Sequence, residues 1–244
     1  MYGAARARRN NRPLLAVAAC DLQGVSAPSR MRNERHPSKG GKGQALTPQA
    51  KRSEHFDAAY YKRYYHDTRT AVMTREMQQA EVAFVTAFCR HIGLTIRRFA
   101  DVGAGTGWWA KEFIRRYPSC PVVETFDASE AASRLYGHRR VPLQKLGGRE
   151  SDLIVCRDVL RYLNNADTEK AIRRLARKCR GVLYLHVITP EDEIDEEMSD
   201  MSGFFRSRSW YRQRLRAAGF RDCGMGLFVS AKMKSFAPFA IDVR

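Results

Sequence analysis

Paired cysteines are the first thing this sequence lacks. Its six cysteines, at positions 20, 89, 120, 156, 179 and 223, include no C-x-x-C pair, which argues against a zinc site. Four of them fall on apolar faces, so reduced thiols in a cytoplasmic protein are expected rather than a disulfide framework, and no metal ligand set is read. No apolar run approaches the length of a membrane span. Acids are scarce in the first 53 positions, where eleven Lys and Arg face only Asp21 and Glu34, so +9 of the formal net charge of +17 lies there. A strongly basic folded surface is therefore not implied. That stretch also has no sustained hydrophobic period, and residues 1–53 read as a disordered basic arm.

Several roles for the arm stay open. Leu14–Cys20 has the outline of a lipoprotein signal with too short an apolar run, and the Arg-rich start suits a transit peptide in a eukaryote. A basic arm can grip nucleic acid through phosphates. The favoured reading is a dispensable tail, in keeping with an over-long frame whose start is Met31, because charge runs are usually solvated.

The remaining chain, 54–244, is long enough for one domain, and a hydrophobic content of 44% supplies its core. Residues 54–93 read as helices in front of an α/β core at 94–244. Phe56, Tyr60, Tyr61, Tyr64 and Tyr65 crowd ten positions. They are read as a lid over a pocket, from which Arg63 reaches the carboxylate of an amino-acid ligand. A tyrosine-rich surface helix is the alternative. Met73, Met77, Ala80, Phe84, Phe88 and Ile92 then keep helical spacing up to Gly93.

The core begins with Ile96–Val102 as a strand, glycines at 103, 105 and 107 as a turn, and a helix ending at Pro118. Glycines accept positive φ and let a ligand approach the backbone, while the helix start offers free N–H groups to it. The dinucleotide fingerprint needs another glycine where Trp108 stands, so that pattern is not met. Strand two, Pro121–Asp127, ends in an acid placed where such folds take ribose hydroxyls; Asp127 or Ser129 caps the next helix. Val141–Leu146 reads as strand three and Asp152–Leu163 as a buried strand entering a short helix. Ala166–Cys179 follows as a helix and Gly181–Ile188 as strand five, with His186 more a core histidine than a base. An acidic loop, Glu191–Asp200, precedes an Arg-rich helix near Ser207–Ala218. Arg221–Ser230 and Lys232–Val243 read as a terminal hairpin. The alternation predicts a doubly wound, mostly parallel sheet with an antiparallel edge.

The stretch D-x-G-x-G-x-G, Asp101–Gly107, resembles motif I of the class I S-adenosyl-L-methionine-dependent methyltransferases, and Asp152–Leu163 resembles their motif IV. F-D-x-x-Y-Y-x-R-x-Y (Phe56–Tyr65), D-V-L-x-Y-L (Asp158–Leu163), R-G-V-L-Y (Arg180–Tyr184) and W-Y-R-x-x-L (Trp210–Leu215) look like a bacterial group acting on small molecules. The resemblance implies a Rossmann-like, seven-stranded sheet with helices on both faces and its last strand antiparallel. It implies S-adenosyl-L-methionine as cofactor, with Gly103, Ala104, Gly105 and Gly107 against it and Asp101 at its methionine end. Asp127 and Ala128 would then lie at the ribose, and Arg157 and Asp158 beside the methyl group or the substrate. Trp109 is expected inside and Trp108 near the pocket mouth. After strand three no polar residue stands out for the adenine. Asp158, Tyr162 and His186 are the candidates for a general base. The expected partner is a small-molecule methyl acceptor; an RNA or protein methyltransferase using the arm and the Arg-rich helix, and a non-catalytic cofactor-binding module, are the alternatives.

Overall fold

The structure is a computed structural model that describes residues 56–66, 73–194 and 199–236. The arm and the final stretch, 237–244, lie outside them. A short helix α1 (Ala58–Tyr61), capped by the Asp57 side chain, runs into a π-helical turn at Lys62–His66. Helix α2 (Arg75–His91) starts on the Thr74 side chain and stops before Gly93, whose φ of +71° costs glycine nothing.

Then come β1 (Arg98–Val102), α3 (Trp108–Arg116), β2 (Val122–Asp127), α4 (Glu130–Tyr136), β3 (Arg139–Arg140) and β4 (Ser151–Arg157). These are followed by α5 (Asn165–Lys178), β5 (Cys179–His186), α6 (Arg208–Ala217), β6 (Phe220–Gly224) and β7 (Leu227–Ser230). The seven strands form one sheet in the order β3-β2-β1-β4-β5-β7-β6. All pairs from β3 to β5 are parallel; β7 lies antiparallel between β5 and β6. The doubly wound sheet is thus as expected, and its order reverses between β1 and β4, where such folds open a crevice.

Each face of the sheet buries its own core. On one, Phe99, Trp109 and Phe113 stack beneath Val82, Val85 and Cys89 of α2. On the other, Ile154, Cys156 and Leu183 meet Ile172 and Leu175 of α5 and Leu215 of α6. Cys156 is fully buried and burial pushes its thiol well up, as a core thiol and not a nucleophile.

Three local expectations are corrected. Strand three is only Arg139–Arg140, because Pro142 has no N–H to continue the ladder; Leu143–Lys145 is a 3-10 turn instead. The last hairpin is formed by β6 and β7 around Met225 and Gly226, both at positive φ, rather than by a second strand beginning at Lys232. Strand five ends at His186 and not Ile188, which leaves that histidine at the sheet's carboxyl edge.

Candidate active site

A cavity of about 530 Å³ opens at the carboxyl ends of β1, β2 and β4. Its floor is the glycine turn. Gly103, Gly105 and Gly107 have φ of +75°, +56° and +71°. A Cβ on Gly103 would stand 2.0 Å from Val159 Cγ2, and one on Gly107 3.1 Å from His138 Cε1. Only glycine fits the first of these places without moving a neighbour.

Two buried side chains hold the turn from beneath. Asp127 Oδ2 accepts from the Gly105 N–H at 2.9 Å, and its Oδ1 accepts from Ser129 N at 2.8 Å. His138 bridges the other side, with Nε2 at 2.9 Å from the Gly105 carbonyl and Nδ1 at 2.9 Å from Thr125 Oγ1. A carbonyl only accepts, so Nε2 carries a proton. The Gly105 peptide is thus clamped at both its N–H and its C=O. Ser129, not Asp127, caps α4. Burial raises the Asp127 carboxyl against the bonds from Ser129 and Gly105.

Asp101 sits at the end of β1 behind this turn, buried, with Oδ2 unpartnered among the described residues. Burial first, and the Asp127 charge second, push its pKa up to about 7. A carboxyl raised on folding makes the folded chain bind more protons than the unfolded one, so the free protein loses stability as pH climbs from about 4 to 7. Asp101→Asn is expected to remove that decline; urea unfolding at both ends of the window checks it, and a slope equal to wild type would refute the assignment.

The cavity's opposite wall is aromatic. Tyr60, Tyr61, Tyr64 and Tyr65 all face it, with Phe56, Trp108 and Tyr162. A π-helical turn carries more than four residues per turn, which keeps positions 60 and 64, and 61 and 65, in register. Tyr60 and Tyr162 hydroxyls stand 3.3 Å apart, Tyr162 donates to Asp200 Oδ2 at 2.8 Å, and Arg161 Nη2 donates to Tyr162 at 2.8 Å.

At the end of β4, Arg157 and Asp158 border the cavity with Val159. Asp158 takes φ of +56°, a position non-glycine residues rarely hold, and its N–H donates to the His186 carbonyl at 2.8 Å. Burial alone would raise the Asp158 carboxyl, but the neighbouring His186 and the Arg157 charge outweigh it and hold it below the usual range.

The structure therefore brings Gly103, Gly105, Asp127, Ala128, Arg157, Asp158 and Tyr162 around one cavity. Asp101, Ala104 and Gly107 lie in or behind the turn and support it, Ala104 N donating to Phe126 O at 3.0 Å. Trp109 is buried and Trp108 borders the cavity. Two residues stand elsewhere than expected. Arg63 is exposed, with its guanidinium 5.1 Å above the Tyr64 ring and away from the cavity wall, because the tyrosines take the inward face of that helix. His186 is no core histidine: its side chain is 41% exposed, with Nδ1 3.5 Å from Asp158 Oδ1.

Sequence reading missed Gln144, Asp200 and His138. Gln144 borders the cavity with its Oε1 buried and unpartnered among the described residues. The available signal was Pro142, which ends the strand and turns the following side chains toward the crevice.

A doubly wound sheet with a glycine turn and an acid at adjoining strand ends, on a crevice at the switch point, defines a nucleotide-type ligand-binding α/β protein. Comparison narrows the class. Residues 52–223 match the family described as methyltransferase domain, and the chain belongs to that family. No curated protein sequence matches it. Among solved structures it is similar to magnesium protoporphyrin IX methyltransferase (ChlM) from Synechocystis with bound SAM, at 18% identity and a TM-score of 0.56 over 78% of this chain and 100% of that one. It is similar to the sugar N-methyltransferase KedS8 from Streptoalloteichus, at 17% identity and TM-score 0.55, covering 83% and 100%. Similarity also extends to CalS10, an amino pentose methyltransferase from Micromonospora echinaspora, at 21% identity and TM-score 0.52, covering 68% and 94%. At these identities the shared feature is the methyltransferase fold.

Proposed function

We propose that residues 54–244 form a methyltransferase domain that uses S-adenosyl-L-methionine to methylate a small molecule, with 1–53 as an appended arm. The observation that carries the cofactor is the clamped glycine turn beside Asp127. The bare backbone of Gly103 and Gly105 lines the cavity, and the carboxylate beside it suits two ribose hydroxyls. Ala128 follows at the ribose, and the orphaned Gln144 Oε1 suits the adenine amine. Gly103, Ala104, Gly105 and Gly107 shape the backbone surface under the ligand, and Asp101 stands toward its methionine end, where a sulfonium would favour the ionised form of its raised carboxyl. The cofactor supplies a methyl group on a sulfonium, already bound to a good leaving group.

The chain's own task is then alignment and the exclusion of water. The tyrosine wall and Trp108 provide a desolvated channel for the acceptor. Asp158, the neighbouring His186 and the Tyr162–Asp200 pair are the groups placed to accept a proton. A small acceptor is favoured over RNA or protein because the cavity is walled by five aromatics of the N-terminal segment, Phe56 through Tyr65. Cytoplasmic location is part of this proposal, in keeping with intracellular supply of the cofactor.

Isothermal titration calorimetry tests the reading. The full chain is expected to bind S-adenosylmethionine and S-adenosylhomocysteine, and a chain lacking 1–53 is expected to bind them equally well. Failure to bind either ligand sinks the methyltransferase reading; loss on truncation sinks only the dispensable arm.

A further inference from the structure

Three arginines border the cavity, and they differ in what holds them. Arg140 is exposed and pairs with Glu130 of α4 at 2.9 Å. Arg157 is half-buried and pairs with Glu81 of α2 at 3.4 Å and with Asp158 at 3.1 Å. Arg161 is only 3% exposed, yet no carboxylate pairs with it among the described residues. Its Nη2 donates to the Tyr162 hydroxyl at 2.8 Å and to the Asp200 carbonyl, while Nε and Nη1 are buried and bond to no described residue. The Asp200 carboxylate is engaged by other donors, the Tyr162 hydroxyl and the Ser202 N–H. The Tyr162 and Phe205 rings flank the guanidinium, at 4.7 and 5.7 Å. Its backbone is held as well, the Arg161 carbonyl accepting from Phe204 N at 2.7 Å.

Arg206 supplies the contrast. It is also buried, but each of its nitrogens is satisfied: Nε on Asn165, Nη1 on Tyr211 and the Leu160 carbonyl, Nη2 on the Leu163 carbonyl. A buried arginine with a structural task is thus fully bonded, as burial of a charge demands. Arg161 keeps its charge and bare donors beside the cavity, an arrangement that costs stability until an anion meets it. Its bond to Tyr162, and the 3.3 Å contact of Tyr162 with Tyr60, tie the guanidinium to the tyrosine wall and not to the glycine turn.

We infer that the methyl acceptor carries a carboxylate and that Arg161 binds it, which makes aromatic and other apolar carboxylic acids the substrate class of this site. The inference rests on the methyltransferase reading above and deepens it. Phe56, Tyr60, Tyr64, Tyr65 and Tyr162 supply aromatic surface for the apolar body of such an acid. One guanidinium matches the single charge of a carboxylate. A phosphate monoester brings about two charges, and the other two arginines of the cavity are already paired. Away from water a charge-assisted bond gains strength, so this pairing selects among acceptors.

Calorimetry on the full chain with S-adenosylhomocysteine present tests this. The probes are benzoate, 4-hydroxybenzoate, cinnamate and indole-3-acetate, each beside its primary amide, and phenyl phosphate. In wild type at least one acid is expected to bind about tenfold or more tighter than its amide. Arg161→Gln should lower that acid's affinity by about 10- to 100-fold, as loss of a charge-assisted bond does, and leave the amide and S-adenosylhomocysteine within about twofold. Arg161→Lys should keep part of the preference, because the charge survives without the planar fork. If wild type prefers no acid to its amide, the inference is overturned, and the same follows if phenyl phosphate binds tighter than every acid. An equal fall for acid, amide and S-adenosylhomocysteine in Arg161→Gln would make the residue a structural support and overturn it too. Should Arg161→Gln not fold, Arg161→Lys decides: a reduced preference supports the carboxylate anchor and an unchanged one overturns it. Wild type that takes no S-adenosylhomocysteine yet prefers an acid would remove the methyltransferase reading and keep the carboxylate site, so the two failures are told apart.

Discussion

Gly103→Ala is expected to reduce S-adenosylhomocysteine affinity by about 100-fold or more. Two costs combine. Alanine at a φ of +75° is in the left-handed region, which costs about 1–2 kcal/mol. Its Cβ would also lie 2.0 Å from Val159 Cγ2, an overlap that only movement of Val159 can relieve. Val159 borders the cavity, so that movement is taken from the ligand's space. Gly105→Ala provides the contrast. Its φ is also positive, yet its Cβ would find Tyr61 Cε1 at an ordinary 3.6 Å, so its loss is expected to be much smaller. Adding Val159→Gly to Gly103→Ala should recover part of the affinity. Calorimetry on the four proteins checks the ordering, and a Gly103→Ala protein that binds as wild type would end the idea that this turn cradles the ligand.

Asp127→Ala should come next, with affinity for S-adenosylhomocysteine and for adenosine both falling by about 30- to 100-fold, as when a charged, bonded group is removed from a site. This carboxylate does two things at once. It accepts the Gly105 and Ser129 N–H groups, which sets the distance between the β1 and β2 turns, and it retains lone pairs for a ribose. Its loss strands the buried amide of Ser129 and the half-buried one of Gly105, so the free protein is expected to lose about 1–3 kcal/mol as well. Asp127→Asn separates the roles: the amide oxygen can keep one backbone bond, while the charge that favours two hydroxyls is gone. Stability between wild type and the alanine variant, with affinity close to the alanine variant, is the expected pattern for Asp127→Asn. Free adenine, which has no ribose, should show no preference among the three proteins.

The two predictions involve residues that could be picked out before any coordinates. Positive φ at Gly103 is a local property, since only glycine takes that conformation cheaply between a strand and a helix. Asp127 ends a strand whose length and pattern are equally local. The order of elements followed for the same reason: apolar period, proline stops and glycine stops act over a few residues, and the right-handed crossover rule then leaves little choice of sheet. Where a local stop was undervalued, the reading slipped. Pro142 ended β3 after two residues and so turned Gln144 into the cavity.

The walls of the cavity were a different matter. Tyr60 and Tyr162 are separated by 102 positions and meet hydroxyl to hydroxyl; Glu81 and Arg157 are separated by 76 and share a bond. No periodicity within one element encodes such a meeting. Arg63 shows this from the other side. It lies among cavity-facing tyrosines in sequence, yet one rotation of the helix puts it outside, because the side chains best suited to a buried face took that face. Short-range stereochemistry thus settled the strands, the glycine turn and the acid beside it. Which charged side chains border the cavity was decided only when distant elements packed, since burial energy is shared among all the residues that compete for the same space.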